Sequence, residues 1–121
     1  MDARRTQVYN ALFYVNCGKL TRICPDRAIS LRDLGEDVKN LQELIFLVGD
    51  GSVLCYNSLL EEVPNLVLAP EHRQHQRATG VALAAVEKIA AGEVGDGNTL
   101  TPNYLRLSQA EREKLERENK K

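Results

Sequence analysis

The chain has 121 residues and a mass of 13.5 kDa, the size of one domain. Hydrophobic residues at 43% and charged residues at 27% are the proportions of a globular protein with a core, not of a disordered one. The 16 Lys and Arg against 17 Asp and Glu leave a net charge of −1, and aromatics reach only 5% with no Trp, so neither a cationic face for a phosphate backbone nor a stacking platform for single strands is expected.

Met1 to Arg5 carries no hydrophobic signal core. The longest apolar run, Leu44 to Val48, is far below the ~20 residues that span a bilayer, so no membrane association is expected. Cys17, Cys24 and Cys55 lack the short spacing of a zinc knuckle and read as structural thiols of a reducing cytoplasm.

Gln7 to Val15 is nearly continuously apolar and rich in Val, Tyr and Phe, which predicts a strand. Asn16-Cys17-Gly18-Lys19 supplies turn chemistry, and Leu20 to Cys24 returns as the antiparallel partner. Pro25 interrupts. Leu31 to Leu41 follows as a short polar helix with Ser30 as its N-cap. The unbroken apolarity of Leu44 to Val48 predicts a strand covered on both faces. Gly49-Asp50-Gly51-Ser52 then turns into a helix over Ser52–Glu62, which Pro64-Asn65 ends.

Leu66 to Ala69 predicts a second buried strand, parallel to the first. The clearest helix is Gln76–Ala91, with Ala78, Val81, Ala82, Ala85 and Ile89 in an i, i+3, i+4 stripe. Leu83, Ala84 and Ala90 widen its apolar surface, so it is expected to be largely enclosed on a sheet face, with Gly92 at its end. Gly95 to Asn98 reads as a loop and Thr101 to Arg106 as an extended segment. Ser108-Gln109-Ala110-Glu111 matches a capping box. The predicted class is α/β: a mixed sheet in which an antiparallel hairpin adjoins a parallel βαβ unit. One lobe over residues 1–107 is followed by a solvated helical tail over 108–121.

Candidate chemistry is sparse. Gly49-Asp50-Gly51 lies between strand and helix, where main-chain N–H groups and the helix dipole receive phosphate in other proteins. It lacks both the G-x-G-x-x-G and Walker A spacings, so a tight turn without a ligand is favoured. His72 and His75 stand at i, i+3, the spacing of a metal pair, but beside Arg73 and Arg77, so an exposed helix entry is favoured. Nothing orders a nucleophile beside a base. Tyr9, Tyr14, Tyr56 and Tyr104 read as packing residues with a polar tip. No catalytic residue, metal ligand or cofactor is expected.

Asp2-Ala3-Arg4-Arg5 followed by Val8-Tyr9-Asn10-Ala11-Leu12-Phe13 resembles the D-A-R-R-x-x-x-V-Y-x-A-x-[FY] segment of the TsaB (YeaZ) family of bacterial tRNA threonylcarbamoyladenosine synthesis subunits. Three further matches follow in the family's order: Val48-Gly49-Asp50-Gly51, Arg77-Ala78-Thr79-Gly80-Val81-Ala82, and Pro102-Asn103-Tyr104-Leu105-Arg106. The resemblance implies the second lobe of a two-lobed, actin-like ATPase (ribonuclease H-like) fold. The family's opening D-T-S strand and its Gly-rich first-lobe segment have no counterpart here, so the chain is expected to be an incomplete lobe without the strand before Asp2. It further implies a non-catalytic dimerisation subunit that supports a TsaD-like catalytic subunit alongside a TsaE-like ATPase. A missing central strand predicts marginal stability or homodimerisation, and TsaD binding only when the first lobe is supplied. Two other readings stay open on the residues alone: a small nucleotide- or phosphate-binding enzyme domain using Gly49-Asp50-Gly51, and a stand-alone interaction module working through the terminal helix.

Overall fold

A computed structural model describes residues 6–105 and residue 118. Asp2, Ala3, Arg4 and Arg5, Arg106 and the predicted terminal helix from Ser108 lie outside the described residues, Glu118 excepted. The described chain runs β1 (Gln7–Asn10), β2 (Phe13–Asn16), β3 (Lys19–Arg22), β4 (Arg27–Ser30), α1 (Leu31–Val38), β5 (Ile45–Leu47), α2 (Ser52–Leu59), β6 (Leu66–Leu68), α3 (Glu71–Gln74) and α4 (Ala78–Ala90). The α/β class holds. The single mixed sheet does not: three two-stranded sheets form, β1–β4 and β2–β3 antiparallel and β5–β6 parallel.

The predicted Gln7–Val15 strand divides at Ala11-Leu12, and β4 is an element the sequence reading did not anticipate. The physical reason is a mismatch in length. Between the pairs Asn10↔Arg27 and Phe13↔Arg22, one side has two residues to span and the other has four, Ile23 to Asp26. Pro25 within the longer side has no N–H to offer a ladder. Two bonds close the break: Ile23 N–H donates to Leu12 O at 2.8 Å and Leu12 N–H donates to Cys24 Sγ at 3.2 Å. Beyond it, β2 and β3 form the expected hairpin. Cys17 (φ 48°) and Gly18 (φ 78°) make its two-residue turn with both φ positive, the backbone twist that suits a tight hairpin.

Ser30 caps α1 as predicted: its Oγ accepts from Asp33 N–H at 3.1 Å and donates to Asp33 Oδ2 at 2.7 Å. Leu31, Leu34 and Val38 of α1 then meet Cys55 and Leu59 of α2, with Val8, Val63 and Leu66 completing the core. The two helices approach closely at Gly35, where an added Cβ would sit 3.0 Å from Leu59 Cδ2. Parallel pairing of β5 with β6 is as expected, in the register Ile45↔Leu66, Phe46↔Val67 and Leu47↔Leu68.

Two burial expectations are overturned. The β5 region is not covered on both faces: Ile45 and Leu47 turn inward, while Leu44, Phe46 and Val48 remain 65, 62 and 66% exposed. α4 is not enclosed either. It forms near its predicted bounds, yet none of its residues is buried. Apolar pattern specifies that a surface seeks cover; it does not supply the element that covers it. Among the described residues, no helix is long and apolar enough to cross a membrane.

Candidate functional site

The turn that joins β5 to α2 carries the phosphate-site candidates. Gly49 has φ 97°, a conformation that favours glycine, and this lets the chain reverse directly after the strand. Its N–H donates to Gln74 O at 2.6 Å, and Gln74 Nε2 in turn donates to Ala69 O at 2.8 Å. Ala69 N–H donates to Leu47 O at 3.0 Å, so the ends of β5, β6 and α3 are stitched together at this corner. Ser52 N–H donates to Gly49 O, and Cys55 N–H to Gly51 O. Gly51 is buried and Asp50 exposed.

Gly49 N–H and Ser52 N–H are thereby engaged within the protein, and the Asp50 carboxylate would repel a phosphate. The turn forms a hydrogen-bonded corner between β5, α2 and α3. Its one unexplained feature is Ser52, which sequence reasoning passed over: it is 3% exposed and its Oγ has no hydrogen-bond partner among the described residues. A small polar residue at the first position of a buried helix start was the signal available for it.

The other candidates do not converge. His72 lies in the one-turn α3 and His75 directly after it, both exposed. Among the described residues no group of three or more His, Cys, Asp and Glu side chains could hold a metal ion. Cys55 belongs to the core, Cys24 is half-buried on Leu12 N–H, and Cys17 is exposed in the hairpin turn. Tyr56 packs against the core and Tyr9 is half-buried in β1, but Tyr14 and Tyr104 are exposed, contrary to the packing role expected of them. Tyr14 lies in β2 of the hairpin and Tyr104 in a stretch outside any helix or strand, and among the described residues nothing covers them.

A cleft of about 100 Å³ lies between the β1–β2 link and β5, lined by Asn10, Ala11, Leu12, Leu34, Val38, Leu59, Leu66 and residues Ile45 to Val48. Pockets that enclose a small-molecule ligand usually measure about 300–1,000 Å³, so this cleft is too small for one. Ile45 N–H bonds to Asn65 O and Leu47 O accepts from Ala69 N–H, so the main-chain groups of Phe46 point to the opposite edge of β5. Among the described residues no strand pairs with that edge.

Among the positions that carry the family resemblance, Val8 is buried in the core, Tyr9 half-buried, Pro102 and Tyr104 exposed, and Leu105 half-buried. Arg77 precedes α4 in extended backbone.

These features describe a small α/β body with a tight Gly corner and, among the described residues, no assembled metal centre. No protein-family model matches the chain. It is similar to the tRNA threonylcarbamoyladenosine biosynthesis protein TsaB of Bacillus subtilis (strain 168), with 31% identity over 117 residues. That alignment takes in 95% of this chain and 49% of the relative, so the chain spans about half the length of the curated relative it matches. The resemblance seen in four short motifs therefore extends over nearly the whole chain. A half-length match is what resemblance to one of two lobes entails.

Proposed function

We propose that the chain acts as an accessory, non-catalytic subunit in forming threonylcarbamoyladenosine beside the anticodon of tRNA. The observation that carries this reading is the 31% identity to a TsaB protein along 95% of the chain. The order of the motifs supports it: Asp2-Ala3-Arg4-Arg5 with Val8-Tyr9 at one end, and Pro102, Tyr104, Leu105 and Arg106 at the other. Its role is to hold a TsaD-like catalytic subunit in a productive arrangement, with a TsaE-like ATPase joining them in the cytoplasm. Gly49, Asp50 and Gly51 serve as the corner that fixes β5 against α2, not as a ligand site. Residues 1–107 constitute the working lobe and 108–121 a tail.

The test is complementation. A bacterium depleted of its own TsaB is given this chain, and threonylcarbamoyladenosine is measured in digested tRNA by mass spectrometry. Restoration of the modified nucleoside, alone or with the half of the relative that this chain does not span supplied in trans, supports the reading. Failure of both arms, together with no capture of purified TsaD by the chain, refutes it.

A further inference from the structure

Two strand edges face the same cleft. On one bank, Ile45 N–H donates to Asn65 O and Ala69 N–H donates to Leu47 O, so Ile45 and Leu47 bond toward β6 and the main-chain groups of Phe46 point to the opposite edge. On the other bank, Leu12 N–H donates to Cys24 Sγ and Leu12 O accepts from Ile23 N–H, both toward the link between β3 and β4. The same alternation along an extended chain turns the main-chain groups of Ala11 the other way. Ala11 and Phe46 both line the cleft, which opens over the core at Leu34, Val38 and Leu59. Among the described residues β5 pairs with β6 alone and β1 with β4 alone, and a two-stranded sheet is a marginal structure by itself.

We propose that this cleft receives an extended apolar segment of a separate polypeptide, which pairs through its main chain with Phe46 on one bank and Ala11 on the other and so joins β1–β4 and β5–β6 into one sheet. Its source rests on the accessory-subunit reading above: the segment belongs to the half of a TsaB-type protein that this chain does not span. Main-chain pairing on two sides makes the occupant a strand, because a helix keeps its N–H and C=O groups for itself and has none along its flank for an edge. The cleft of about 100 Å³ is too small for a bound cofactor but admits an inward side chain. Its lining is apolar apart from Asn10, whose Oδ1 already accepts from Arg27 Nε, so that inward side chain is aliphatic. The next residues of the segment turn to the outer face beside Phe46 and Val48, where apolar neighbours match again. The chain's own described residues do not offer such a segment. Its strand-forming runs are already paired in β1 to β6, and the stretch after α4 is interrupted by Gly92, Gly95, Gly97 and Pro102.

The experiment uses the full chain in reducing buffer and overlapping synthetic peptides of about ten residues, the upper length of a usual strand, covering the part of the Bacillus subtilis TsaB that lies outside the match. Hydrogen exchange followed residue by residue should show one contiguous apolar stretch of peptides slowing the amides of Phe46 and Ala11 together. Phe46→Pro removes the N–H at the open edge and leaves the bonds of Ile45 and Leu47 to the β6 side, so peptide binding should weaken roughly tenfold or more, with far-UV circular dichroism checking the fold. Phe46→Ala keeps that N–H and should weaken binding by no more than about threefold, the worth of one cross-strand side-chain contact. The proposal is overturned if no peptide slows the two amides, or if Phe46→Ala costs as much binding as Phe46→Pro, which would mark a side-chain contact on the outer face. Slowing of the Phe46 amide on raising the concentration of this chain alone, with no peptide, would put a second copy in the cleft and overturn it too. Complementation that succeeds while the peptides leave both amides untouched sinks the strand and keeps the accessory role; peptide capture with failed complementation supports the strand and counts against that role.

Discussion

The stretch from β1 to β6 and the helix α4 are both rich in apolar residues, yet they end in opposite states. In the first, Val8, Leu31, Leu34, Val38, Cys55, Leu59, Val63 and Leu66 gather into one cluster. In the second, Val81, Leu83, Val86 and Ile89 stand 62–69% exposed on a well-formed helix. The difference is not one of composition or helix-forming tendency. It is that α1 and α2 have a sheet face and each other to pack on, whereas α4 finds no such surface among the described residues. Secondary structure follows from local pattern; burial needs two complementary surfaces brought together.

The sharpest way to break this comparison is to cut into the first region. Leu59→Ala removes a 4%-exposed side chain that meets α1 at Gly35, and unfolding by urea should show a loss of about 2–5 kcal/mol. Retention of full stability would mean that the cluster is no more cooperative than α4. Next comes Gly49→Ala. At φ 97° a Cβ is strained, and the corner tying β5 to α3 should lose roughly 1–3 kcal/mol, read as a lowered denaturation midpoint. Ser30→Ala deletes the cap on α1 and should cost about 1 kcal/mol. The smallest effect belongs to the second region. Val86→Ala, measured at a concentration low enough to keep the chain monomeric, should shift stability by no more than ~0.5 kcal/mol, as for an exposed position. A loss comparable to that of Leu59→Ala would show that α4 packs within its own chain.

How far the sequence could be read follows the same division. The Ser30 cap, the Asn16–Lys19 turn, the parallel pairing of Leu44–Val48 with Leu66–Ala69 and the extent of α4 were legible, because each depends on a few neighbouring residues. The division of Gln7–Val15 was not. Nothing within that run marks Ala11-Leu12 as a break; the cause lies in the four residues Ile23 to Asp26 on the opposite strand. Exposure of Phe46 and Val48 escaped for a related reason, since an apolar strand reads as covered whether or not its cover is present. At the candidate site, the Gly-Asp-Gly turn was visible as a turn. Its use as a corner depended on Gln74, which lies 25 positions from Gly49 and carried no local signal. Ser52 was hidden as well, because burial of a helix's first residue depends on what packs over it.

The break at Ala11-Leu12 has a consequence for how this chain can change over generations. Because the β1–β4 pairing and the β2–β3 pairing are separated by unequal lengths of backbone, the register of one does not dictate the register of the other. Residues gained or lost in matched pairs near the Cys17-Gly18 tip lengthen or shorten an arm whose side chains are all exposed, while Val8 keeps its place opposite Ile29 and beneath the core. The joint therefore behaves as an expansion seam, letting the outer hairpin drift in length among descendants of this sequence without disturbing the packed body.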